Sequence, residues 1–215
     1  MATAKGGYFL KDGTRVPSVT TVLGRFKDAG PLMHWAWQCG VDGKDYRAER
    51  DKAADAGTLC HEAVEAWIKK QDYVWQHEIE DVVTRAKTAF GAFLEWAEQT
   101  RLVVTHTEMP LVSEAYRYGG TFDAILVQGK RAMGDWKSSN GVYPEYLAQL
   151  AAYGQLWREN FPDQPLDGGF HLLRFDKAYG DFAHRYWSEL DAGWRYFKAL
   201  RDAYSETSEL KRRAA

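Results

Sequence analysis

Apolar positions recur along the chain with two periods, and the change from one to the other marks the change from helix to strand. From 47 to 70, Leu59, Ala63, Ala66 and Trp67 stand three and four apart, the stripe that a helix turns towards a core. Between 74 and 99 a longer stripe predicts a second amphipathic helix packed on a sheet: Ile79, Val82, Val83, Ala86, Phe90, Phe93, Leu94 and Ala97. Three β-rich segments follow, LVVTHTEMPLVS (102–113), GGTFDAILV (119–127) and RAMGDWKSS (131–139). Pro144 then opens a helix, PEYLAQLAAYGQLWREN, with a core-facing set of Leu147, Leu150, Ala151 and Leu156. GFHLLRF and DFAHRYW read as two more strands joined near Ala178-Tyr179-Gly180, and a final helix over about 189–204 carries Trp194, Phe197, Leu200 and Tyr204. Ahead of all these, residues 7–16 alternate loosely around Asp12-Gly13, a turn signal for a small hairpin. Residues 31–39 read as a helix with proline at its first position. Helix, three strands, helix and strand in that order predict an α/β fold, a mixed sheet flanked by helices.

At 215 residues the chain is long enough for one sizeable core, and it reads as one domain over 1–215. Its parts are an N-terminal hairpin with helices (1–100), a core (101–188) and a C-terminal segment (189–215) ending in a frayed, solvated KRRAA. A formal charge of −2 excludes a nucleic-acid surface built on net charge, so any such surface needs locally segregated Lys and Arg. Arg85 and Lys87 on the 74–99 helix are best explained as a solvated face. No stretch approaches the ~18 apolar residues of a membrane span, and the opening MATAKGGYFLKDG lacks a signal peptide's apolar run, so a cytoplasmic location is expected. Two cysteines, Cys39 and Cys60, supply no disulfide framework, zinc spacing or iron–sulfur cluster. GxxxxGK[ST] is absent, so a helicase or other motor partner would be a separate chain.

The chemistry concentrates in 117–153. Asp135 and Lys137 sit two apart on a strand and share a face, while Trp136 turns to the other. Gly129 in the turn VQGKR lets a hairpin bring Asp123 alongside. Two carboxylates and an ammonium then converge, an arrangement that suits a hard divalent cation held with water and substrate phosphate. Gln149 and Tyr153, four apart, share a helix face, and with the apolar set on the other side they are expected near the metal. His61 and Glu65 likewise share a face. By itself His61 reads as structural, and Glu65 reads equally as a partner of Lys69.

GGTFD (119–123), GDWKSS (134–139) and QLAAY (149–153), preceded by GTLCHEAVE (57–65), resemble the PD-(D/E)XK nuclease superfamily and its RecB-like and Cas4-like exonuclease branch. VPSVTTVL (16–23) is similar to the opening of phage exonucleases and of the mitochondrial genome maintenance exonuclease. The resemblance implies a restriction-endonuclease-like core. It makes Asp123, Asp135 and Lys137 catalytic, with Mg²⁺ (or Mn²⁺) on Asp123, Asp135, the Trp136 backbone carbonyl and His61. It assigns Gln149, Tyr153, Ser138 and Ser139 to substrate contacts. Ser18 and Thr20 stand as a helix cap or, by the resemblance, as phosphate contacts, and Glu65 and Glu108 as further acidic contributors. The activity implied is a DNA exonuclease, single strands preferred, in phage or bacterial recombination, replication or repair, alongside a separate recombinase, annealing protein or helicase. The alternatives are a structure-selective endonuclease, a catalytically silent DNA-binding protein of the same fold, or a small-substrate phosphohydrolase. Most of the nine tryptophans are placed as core, leaving one or two for base stacking.

Overall fold

The computed structural model describes residues 7–139, 141–175 and 182–214, with the side chains of 52–55, 123–125 and 182 outside the described residues. A hairpin of β1 (Tyr8–Phe9) and β2 (Arg15–Val16) opens the chain. At its turn Gly13 takes φ 82° and Asp12 accepts the Thr14 N–H at 2.8 Å. Helix α1 (Val19–Arg25) starts at Ser18, whose hydroxyl accepts the Thr21 N–H at 3.0 Å, satisfying one of the donors a helix start leaves open. Helices α2 (Gly30–Val41), with Pro31 in its first turn, and α3 (Tyr46–Ile68) follow.

The next helix, α4 (Glu80–Gln99), begins later than the periodicity predicts. Ile79 is its N-cap in extended conformation, and Glu80 and Asp81 complement the positive end of the helix from its first turn. The 74–79 stretch instead packs by its aromatics, Trp75 lying edge-on to Tyr73 and Phe90. The α3 stripe is also rotated from expectation. Ala56, Leu59, Cys60, Ala63 and Val64 are buried, whereas Trp67 keeps an exposed flank and turns its edge to Phe93.

One mixed sheet organises the rest, in the order β3 (Val103–Ser113), β4 (Tyr118–Val127), β5 (Lys130–Ser138), β6 (Phe170–Phe175), β7 (Phe182–Trp187). Neighbours are antiparallel except β5 and β6, which are parallel and joined through α5 (Pro144–Asn160). A parallel pair needs such a crossover because its strands start at the same end. The predicted join at Ala178-Tyr179-Gly180 lies outside the described residues. The last helix, α6 (Asp191–Ala214), runs well past 204 and takes in the KRRA expected to fray. Ion pairs Lys198–Asp202 and Glu209–Arg213 brace it, and Lys211, Arg212 and Arg213 face the negative end of its dipole.

Each sheet face has its own core. On one, Phe122, Met133 and Leu172 pack with α1, α5 and α6; on the other, Ala132, Trp136, Leu173 and Phe175 pack with α3 and α4. The glycine pair at the head of β4 makes the first core close. A Cβ on Gly119 would fall 2.3 Å from the Tyr8 ring, and one on Gly120 2.7 Å from Tyr153. Ser18 bridges to Gly119, drawing the start of α1 onto the same spot. Among the described residues no helix is long and apolar enough to cross a membrane.

On the second face, His171 and His184 stack 5.0 Å apart, beside Trp96 of α4. Nδ1 of His171 is 2.8 Å from Nε2 of His184, and Nε2 of His171 is 3.0 Å from the Gly168 carbonyl. A carbonyl only accepts, so His171 carries its proton on Nε2 and its Nδ1 accepts from His184; both rings are neutral. Burial lowers the pKa of both from the ordinary 6.5, and burial and then His171 bring His184 down to about 4. The unfolded chain therefore binds protons that the folded chain refuses, and stability falls as pH drops from 6.5 towards 4. Urea unfolding across that window should show a shallower fall for His184→Gln than for the unsubstituted protein; equal slopes would remove the pair from the acid response.

Candidate active site

Strand β5 carries the charged pair through the middle of the sheet. Pleating sends Met133 into the first core and Trp136 into the second, so Asp135 and Lys137 lie on the α5 side, as the spacing predicts. Both are buried, at 7% and 9% exposure. Lys137 Nζ donates to Asp135 Oδ1 at 3.1 Å and stands 2.8 Å from Oδ2. That second approach is a charged contact at an angle outside a regular hydrogen bond, and among the described residues Oδ2 is a buried oxygen with no regularly directed hydrogen bond. Burial raises the Asp135 pKa, and the Lys137 charge and hydrogen bond oppose the rise.

The pairing of β4 with β5 ends at Asp123 opposite Gly134, while β5 stays paired with β6 as far as Ser138 opposite Phe175. Before Asp123, β4 belongs to β3, with Phe122 opposite Met109. The two strands therefore part beside Asp135. The backbone of Asp123 sits one register step from Asp135; its side chain lies outside the described residues.

Two residues that the sequence did not single out complete the surroundings. Tyr146, in the first turns of α5, presents its ring to Lys137, with Nζ 5.3 Å from the centroid. Arg174 of β6 is registered beside Lys137, is buried, and donates from Nη1 to the Ser139 carbonyl at 3.1 Å. A cation inside the otherwise apolar FHLLRF was a readable signal, as was a tyrosine three positions before Gln149 on the same helix.

Gln149 and Tyr153 differ from expectation in their setting. The prediction gave α5 one core face and turned this pair away from it, but 148–154, 156 and 157 are all buried. Gln149 Nε2 donates to Tyr153 Oη at 2.8 Å, and the Tyr153 ring packs 5.6 Å from Phe122. The helix is sunk because Gly120 lets β4 approach it, so its Tyr153 side faces the sheet and not solvent.

The remaining candidates are distributed more widely. Ser138 and Ser139 are half-buried at the end of β5, and Ser139 Oγ donates to the Gly141 carbonyl at 2.8 Å. Ser18 is the buried α1 cap, with the exposed Thr20 hydroxyl 2.9 Å away. His61 is half-buried on α3, whose neighbouring Cys60 and Val64 enter the core on the Trp136 side. Glu65 forms the ion pair with Lys69. Glu108 is exposed at a bulge of β3 with φ 46°, and its charge also acts on Lys69, so both acids flank one lysine. Burial pushes the Cys60 thiol up to about 12, leaving an inert small hydrophobe, as expected.

Among the described residues no three His, Cys, Asp or Glu side chains stand together closely enough to hold a metal. The Asp135 side still fits a hard divalent cation. Mg²⁺ is commonly held by one or two carboxylates with water and phosphate completing its shell, and among the described residues Oδ2 is a carboxylate oxygen with no regularly directed hydrogen bond.

No protein-family model and no curated protein matches the sequence. Among solved structures, the chain is similar to a candidate exonuclease of Eubacterium rectale, at 10% identity and a TM-score of 0.46, over 69% of this chain and 68% of that one. It is also similar to LHK-Exo, solved in complex with dAMP, at 15% identity and a TM-score of 0.39, over 76% of this chain and 90% of that one.

Removing one member of a buried ion pair strands the other. Lys137→Met should lose about 3–5 kcal/mol at neutral pH, Asp135→Asn less, and the double variant should recover most of the loss. Urea unfolding of the four proteins checks this, and additive losses would show that the pair is not coupled.

Proposed function

We propose that the chain is a Mg²⁺- or Mn²⁺-dependent deoxyribonuclease of the PD-(D/E)XK type, acting as an exonuclease on DNA ends. The observation that carries this reading is the buried Asp135–Lys137 pair at the point where β4 parts from β5. A pair held for stability alone would gain from an apolar replacement, because taking two charges out of water costs several kcal/mol each. A site that binds a cation and a phosphate needs those charges.

Asp135, Asp123 and the Trp136 backbone carbonyl would hold the cation, with His61 as a nitrogen ligand that favours Mn²⁺ over Mg²⁺. When bound, the cation polarises the scissile phosphate and lowers the pKa of the attacking water. Lys137 orients that water and offsets charge building on phosphorus. The water oxygen bonds to phosphorus as the P–O3′ bond breaks, leaving a 5′-phosphate and, after protonation of the departing oxygen, a 3′-hydroxyl. Gln149 and Tyr153 support this side of the sheet from α5. Ser138, Ser139, Ser18 and Thr20 are the proposed phosphate contacts, and Glu65 and Glu108 further acidic contributors.

The reading extends to single-stranded ends, to recombination, replication or repair in phage or bacteria, and to a cytoplasmic setting beside a recombinase, annealing protein or helicase on another chain. The compact chain shows no sequence-reading module, so substrate shape is the natural basis for selection.

Labelled linear and covalently closed circular single strands of one sequence, with Mg²⁺, Mn²⁺ or EDTA, test this directly. Linear DNA should be degraded with either metal and spared in EDTA, while the circle survives much longer. Asp135→Asn and Lys137→Ala should each lose most turnover while folded, and His61→Ala should change the Mn²⁺ to Mg²⁺ activity ratio. Wild-type turnover in Asp135→Asn would end the assignment, and equal loss of circle and line would make the protein an endonuclease.

A further inference from the structure

We infer that Tyr146 is a positioning residue for Lys137: its ring face holds the ammonium in its working direction once Asp135 is drawn to a cation. This rests on the nuclease reading above, but the contact itself stands on geometry alone.

The Lys137 ammonium lies between two partners. On one side is the Asp135 carboxylate, 2.8 Å from Nζ to Oδ2, and on the other the Tyr146 ring, 5.3 Å from Nζ to its centroid. A buried ammonium facing an aromatic ring is attracted to the negative face of the π-system, and the attraction strengthens as water is excluded. These two partners differ in what the proposed chemistry asks of them. Asp135 must share its charge with a cation, which weakens its hold on Lys137. The ring gives up nothing when a cation arrives, so it keeps the ammonium from swinging towards solvent.

Tyr146 is itself held by two contacts to Tyr143. Tyr143 meets it edge-to-face, with centroids 5.4 Å apart at 84°. Its backbone N–H is bonded to the Tyr143 carbonyl at 3.0 Å, in the turn that Pro144 opens. The ring is thus fixed at the start of the helix, and Lys137 lies against it. Burial raises the Tyr146 pKa more than Ser139 lowers it, so the group stays a phenol and acts through its ring, not as a base.

Three variants separate positioning from space filling: Tyr146→Phe keeps the ring, and Tyr146→Leu and Tyr146→Gln remove it. The first readout is cleavage of linear DNA at saturating Mg²⁺. Loss of an interaction that aims a group in the transition state lowers kcat and leaves KM alone. Either non-aromatic variant should lose about tenfold in kcat with KM within about twofold, and Tyr146→Phe should stay within about threefold of the unsubstituted enzyme. The second readout does not need activity: the ¹H–¹³C signal of the Lys137 ε-methylene, identified by its loss in Lys137→Arg. The ring face should shift it upfield in the unsubstituted protein and in Tyr146→Phe, and the shift should vanish in a folded Leu or Gln variant. An unshifted signal in the unsubstituted protein, an upfield shift that survives loss of the ring, or a rise in KM at constant kcat would each overturn the proposal. Absence of cleavage by the unsubstituted protein with either metal would sink the nuclease reading instead, and the methylene signal would still decide whether Tyr146 holds Lys137.

Discussion

Two opposite charges buried in the middle of a sheet are the constraint on which the rest of this structure turns. Asp135 and Lys137 are together nearly out of water, and each alone would cost several kcal/mol to bury. The arrangement stands only because they meet, and because the groups around them complete what the pair leaves open. Tyr146 takes the far side of the ammonium, and Arg174 runs beside it on the parallel neighbour and ties down the chain at Ser139. An apolar pair of the same volume would serve stability at least as well, so stability alone does not account for the charges.

The fold supports that pair from both faces. Because side chains alternate along β5, the strand that points its charges to α5 necessarily points Trp136 into the core with α3 and α4. Phe93 of α4 meets Trp136 and Phe175 there, which fixes the strand from behind. On the charged side, α5 comes close because β4 begins with two glycines, and Tyr153 lies where a Cβ on Gly120 would stand. The closeness of α5 brings Tyr146 within reach of Lys137. The glycines of GGTFD thus act at a distance on the lysine of GDWK, through the depth at which one helix is seated.

Much of this was legible along the chain. The three β-rich segments, the Pro144 helix and the shared face of Asp135 and Lys137 follow from periodicity, turn chemistry and a proline that suits a helix start, and all are local properties. The start of α4 was misplaced because Val74 and Trp75 are apolar just ahead of the helical stripe, yet Val74 is exposed and Trp75 packs edge-on to Tyr73 and Phe90 outside the helix. The end of α6 was misplaced because charged residues near a terminus read as frayed, whereas at spacing four they brace a helix and at its last turn they suit its dipole. No family model or curated protein matches the chain, so the residues themselves carry what is concluded about it.

The sequence by itself determined which residues can alternate, cap, turn and carry charge, because those depend on neighbours within a few positions. It placed an acid and a base on one face of a strand, a glycine turn before them and a glutamine and tyrosine on a helix after them. Tertiary structure alone decided that α5 is buried almost all round, that Arg174 stands beside Lys137 and that Tyr146 lies against it. Those relations join residues 9 to 37 positions apart through a parallel register and the seating of a helix. Register and seating depend on how whole faces pack, which no local pattern encodes.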